Sequence, residues 1–159
     1  MSDLVPTLKL MTVAVIALSI YSTVENYKKV KPELINTTHA KRILVDKSFI
    51  LGTGIILSIL SFLNLFLLHY VHSSKGNNIL YRFCGFLIAG AFIILGGYLL
   101  GEYVGIKYLK GTDNEVTNEV FPEDNLNVGY ALTGITIGTG FFMMIQILLY
   151  VGAKNKLKL

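Results

Sequence analysis

The chain has 159 residues, of which 53% are hydrophobic and 15% charged, with a net charge of +4 and a mean hydropathy of +0.59. That balance places most of the chain in or beside lipid, as a single membrane unit, and no extramembrane segment is long enough to form a core of its own. Basic residues are scattered over connecting segments instead of lining a groove interleaved with aromatics, which argues against nucleic-acid binding, and the lone Cys84 excludes an intrachain disulfide.

Leu10–Val24 is the first apolar segment, with Lys9 and Pro6 just upstream. Lysine can keep its ammonium at the headgroups while its methylenes stay in the apolar layer, so a span over about residues 4–24 is expected, the alternative being an interfacial segment. Ala17–Ser19 resembles the small-residue cleavage site of a secretory leader, but Met1 is retained, which favours an anchor or a spanning helix.

Residues 25–47 follow as a basic loop. Lys28, Lys29, Lys31, Lys41 and Arg42 are expected to touch headgroups or protein partners, with Lys47 at its end. Pro32 suits a helix start, so a short interfacial helix over residues 30–42 is expected. The Asn36-Thr37-Thr38 sequon lies in this basic loop, which weakens a lumenal assignment.

A hydrocarbon layer of about 30 Å needs roughly 20 residues at the helical rise of about 1.5 Å. Phe49–Val71 meets that length and sets a second span at about residues 48–71. Gly54, Ser58 and Ser61 form a small-residue face that continues toward Asn64. An unpaired amide in hydrocarbon is costly, so Asn64 is expected to face a partner helix or a wet cavity.

The third span, residues 83–106, carries the strongest pattern, Gly97, Gly101 and Gly105 within GYLLGEYVG, with Gly90 close to the same stripe. Glycines along one helix face let a neighbour approach to backbone contact, where van der Waals packing and weak Cα–H hydrogen bonds replace the hydrophobic drive that lipid does not supply. Tight packing inside one bundle is the expected use, and a contact between copies or a pore wall the alternative. Glu102 lies about a turn from the end of this span, at headgroup level, with no second buried acid to form a carboxylate relay.

Residues 107–127 make an acidic loop in which Asp113, Glu115, Glu119, Glu123 and Asp124 outnumber Lys107 and Lys110. Its Asp124-Asn125-Leu126-Asn127 run lacks the alternating oxygen ligands of a calcium loop, so a solvated, partner-contacting segment is expected. The fourth span, residues 128–153, holds Gly134 and Gly138 as packing residues and Gln146 as a buried polar group. With four spans the two long loops share one side, and the positive count of about six against eight selects no orientation. Tyrosines near span ends, such as Tyr27, Tyr70 and Tyr130, read as headgroup anchors, whereas Tyr98 and Tyr103 sit deeper and can hydrogen-bond across the bundle.

The sequence therefore reads as an all-α integral membrane protein, a bundle of four transmembrane helices, or three if the first segment is interfacial. It holds no H-E-x-x-H, G-x-S-x-G or P-loop, and its GITIGTG run lies inside an apolar span. His69 and His72 lack a third ligand nearby in sequence, so no metal and no cofactor is expected. Neither is a small-molecule substrate. Partners are expected to be the bilayer and other protein subunits. Lysines outnumber arginines twelve to two and asparagine occurs ten times, as is common when the coding genome is rich in A and T. The expectation is a non-catalytic structural subunit of a large assembly, such as a minor structural protein linking the internal membrane of a large DNA virus to its capsid. An accessory subunit of an energy-transducing complex and a small channel or transporter are the alternatives.

Overall fold

The computed structural model describes residues 4–73, 78–112 and 119–156. Its architecture is the one expected, an all-α membrane bundle: α1 (Leu4–Tyr27), α2 (Thr38–Ser73), α3 (Asn78–Thr112) and α4 (Glu123–Lys156), each long and apolar enough to cross a bilayer. The first segment is thus a full helix of 24 residues. Successive helices run antiparallel, with α1 and α3 each packed against both α2 and α4. Tyr27, Thr38, Thr112 and Glu123 consequently lie at one end, here termed the loop end.

Helix boundaries differ most from the sequence expectation at that end. Residues 38–47, assigned to the basic loop, belong to α2, and the interfacial helix expected over residues 30–42 shrinks to a 3₁₀ turn at Pro32–Leu34. Burial explains the extension. Ala40, Ile43, Lys47 and Ile50 recur at helical spacing and are buried, so the helix continues wherever it has a face to cover. Thr37 starts it by accepting the Ala40 N–H on Oγ1 at 3.2 Å. Likewise α4 begins within the acidic loop, directly after Pro122, whose carbonyl accepts the Asn125 and Leu126 N–H groups. Glu123 and Asp124 occupy its first turn, where the helix dipole favours negative charge.

At 36 residues α2 is about 54 Å long, far more than the roughly 30 Å hydrocarbon layer. Its surplus, with that of α3, projects at the loop end and is covered. Val120, Phe121 and Leu126 are buried there with Ala40, Ile43 and Ile106, flanked by Val30 and Leu34, continuous with the bundle core at Ile50, Leu57, Phe92, Leu99 and Leu132.

Two seams hold the helices together, and they use different chemistry. Along α1 the inward positions Thr12, Ser19, Ser22 and Asn26 are buried polar groups. Ser19 and Ser58 hydroxyls meet at 3.0 Å, and Asn64 Nδ2 donates to Thr12 Oγ1 at 3.0 Å, so Asn64 does face a partner helix. Between α3 and α4 the contact is backbone-close: a Cβ on Gly140 would lie 2.8 Å from the Ala89 carbonyl oxygen, and one on Gly96 would lie 2.6 Å from Ile137 Cγ1. On Gly129 it would run into the Tyr103 ring. Tyr103 joins the two seams, since its hydroxyl meets Ser22 Oγ on α1 at 3.0 Å while its ring covers Gly129 and stands edge-on to Phe121.

Candidate functional site

The small residues expected to pack fall into two groups. Gly54 sits against Thr23, Ser58 meets Ser19, Ser61 is buried, and Gly138 has Met11 at 3.9 Å, all on faces turned to α1. Gly90, Gly97, Gly101, Gly105 and Gly134 have no atom within 4 Å of where a Cβ would stand. The α3 stripe therefore does not pack inside the bundle, contrary to its expected use. Successive helical residues are about 100° apart. Gly96 consequently turns to α4 while Gly97 turns outward. Gln146 is buried as expected.

What the stripe does instead is open a groove between α2 and α3. It has a volume of about 480 Å³, and Gly101 and Gly105 form part of its wall. On α2, Thr38, Arg42 and Asp46 recur every four residues and share one face; on α3, Tyr98, Gly101, Glu102, Gly105 and Tyr108 share another. These faces meet across the groove, so Glu102 acquires the second acid that the sequence seemed to deny it. Arg42, Asp46 and Glu102 all line the groove, so the two carboxyls and the guanidinium lie near enough to act on one another electrostatically. Asp46 and Glu102 are half-buried, whereas Arg42, His39 and Tyr108 are exposed.

Depth follows from the apolar runs. Below Asp46, α2 is apolar from Phe49, and α3 is apolar from Phe83 to Gly101, a stretch long enough for the hydrocarbon layer at about 1.5 Å per residue. Arg42, Asp46 and Glu102 therefore lie at the boundary between hydrocarbon and headgroups. Asp46 escaped sequence detection because the charge pattern places it in a loop. The Arg42-x-x-x-Asp46 spacing on a helical continuation is the signal that could have found it.

Elsewhere at the loop end, Lys28, Lys29, Lys31, Lys41, Glu119 and Asp124 remain exposed, consistent with surface contacts. Two charges expected at the surface are tied down. Glu123 is bound by Lys110 at 2.7 Å, and Lys47 is buried with its ammonium donating to the Lys28 carbonyl at 3.0 Å. Lys107 lies over the Tyr130 ring at 5.7 Å, a cation–π contact at headgroup level. Asp113 and Glu115 lie outside the described residues. No family model matches this chain, and neither a curated protein nor a solved structure matches it.

Proposed function

We propose that the chain is a non-catalytic structural subunit of a larger membrane assembly, anchored by its four helices and joined to protein neighbours at the loop end. The observation that carries this reading is the covered projection of α2 and α3, where Val120 and Phe121 are fully buried while Lys28, Lys29, Lys31, Lys41, Glu119 and Asp124 are exposed. A packed, charged surface held clear of the hydrocarbon is suited to gripping soluble partners. The bundle axis, filled by Ile50, Leu57, Phe92, Leu99 and Tyr103, supports a scaffold over a conduit. In its narrower form the assembly is a virion with an internal membrane beneath its capsid, a reading that rests on the lysine and asparagine bias alone.

A protein inventory of the particle in which the chain resides tests the reading: coat proteins in fixed ratio support the virion form, and subunits bearing redox cofactors support an accessory role in an energy-transducing complex. Changing Lys28, Lys29 and Lys31 to Glu is expected to release the folded chain from the particle. Charge reversal is preferable to removing residues 112–127, because Phe121 and Leu126 belong to the core. The carboxyl pair Asp46–Glu102 favours a second reading, a small transporter. That reading requires a flux in reconstituted vesicles that Glu102→Gln abolishes.

A further inference from the structure

We propose that the groove between α2 and α3 binds one phospholipid whose headgroup carries a primary ammonium, phosphatidylethanolamine being the simplest. Its position selects a lipid. The charged walls sit at the hydrocarbon boundary, and directly beneath them Phe49 on α2 and Ile94 and Gly97 on α3 are exposed to the bilayer, so an acyl chain can run from the groove along the open glycine face. At about 480 Å³ the groove falls within the usual range of small-molecule sites.

Its charges select the headgroup. Arg42 on the α2 wall offers a planar fork of N–H donors suited to a phosphodiester. Asp46, one turn along the same wall, and Glu102 across the groove offer two carboxyls against one guanidinium, an excess of one negative charge. Ionised carboxylates only accept hydrogen bonds, so Asp46 and Glu102 on one groove lining are two acceptors without a donor between them. A primary ammonium brings three N–H donors and can satisfy both carboxylates at once. A trimethylammonium has no N–H to give, and an anionic glycerol headgroup has no cation for the acids. The site therefore distinguishes phosphatidylethanolamine from phosphatidylcholine and phosphatidylglycerol. The same glycines that leave this face of α3 open make the room: a Cβ at Gly101 would have no atom within 4 Å, so a larger side chain there would extend into the groove.

Native mass spectrometry of the full chain, released from vesicles of phosphatidylcholine containing equal minor fractions of phosphatidylethanolamine and phosphatidylglycerol, reads this directly. One retained phosphatidylethanolamine per chain is expected, enriched about tenfold or more over its vesicle fraction, since a charge-assisted hydrogen bond of about 1.5–3 kcal/mol corresponds to that ratio or better. Asp46→Asn with Glu102→Gln should bring the enrichment to about one with retention of helical content, Arg42→Gln should lower retention of phosphatidylethanolamine and phosphatidylcholine alike, and Gly101→Leu should remove the bound lipid. Gly134→Leu, at an open glycine on α4 away from the groove, should leave it in place. Soluble glycerophosphoethanolamine separates headgroup from whole lipid: failure to displace the lipid at millimolar concentration is expected if the acyl chains contribute. Equal retention of the three lipids by the unaltered chain, or enrichment that survives either the double carboxyl change or Gly101→Leu, overturns the proposal.

Discussion

The α1–α2 seam and the α3–α4 seam solve one problem by opposite means. Lipid tails are as apolar as leucine, so helices in a bilayer associate through close packing and hydrogen bonds instead of hydrophobic burial. Between α1 and α2, hydroxyl and amide side chains reach across at 3.0 Å. Between α3 and α4, side chains are removed at Gly96, Gly129 and Gly140 so that one helix touches the other's backbone or a single aromatic ring. The difference teaches where each seam is fragile. Removing a hydroxyl deletes one modest bond, whereas adding a methyl to the glycine seam has nowhere to go.

The comparison can be broken most severely at Gly140. Its new Cβ would press on the Ala89 carbonyl oxygen, which is backbone and cannot turn aside. Gly140→Ala should cost about 1–3 kcal/mol, the usual penalty of overpacking, as a lowered midpoint of denaturant-induced unfolding in mixed micelles. Gly129→Ala should be of similar size, and Tyr103→Ala in the same chain should relieve part of it, because the rigid buried ring is the obstacle. A double-mutant cycle between Ser22→Ala and Tyr103→Phe sharpens the hydroxyl side. Its coupling should be about 0.6 kcal/mol, the average for interhelical hydrogen bonds in a membrane protein. Smallest of all is Gly97→Ala, one residue from Gly96 but on the open face. It should leave the unfolding midpoint unchanged or slightly raised by the better helix propensity of alanine.

These pairs of residues also show what the sequence could and could not convey. The second, third and fourth spans are legible because a bilayer imposes a length, and Phe49–Val71 or Phe83–Ile106 satisfies it without reference to any neighbour. Overshoot of α2 back to Thr38 is not, because what sustains it is tertiary: the burial of Ala40 and Ile43 beside Val120 and Phe121 on the far side of the chain. The first span looked weak for a reason that the fold supplies. Thr12, Ser19, Ser22 and Asn26 lower its hydropathy, and the first three are the residues that bind it to α2 and α3. Glycine periodicity identifies a face but not its occupant: Gly54 does approach α1, whereas Gly97, Gly101 and Gly105 face outward and the close approaches between α3 and α4 belong to Gly96, Gly129 and Gly140. Asp46 stayed hidden for a related reason. A carboxyl's partner on another helix is invisible to local spacing, and Glu102 therefore looked solitary.

The account depends most on α1 being a spanning helix fastened to α2 by the hydroxyl seam. Ser19→Cys and Ser58→Cys in a Cys84→Ala background place two thiols where hydroxyl oxygens now lie 3.0 Å apart, within reach of a disulfide after small adjustment. With a protease site inserted in the connection between α1 and α2, oxidation in membranes followed by cleavage should leave both fragments joined as a monomer until reductant is added. Fragments that separate without reductant, or a cross-link formed between two chains, would contradict the fold proposed for the first segment and the seam on which it rests.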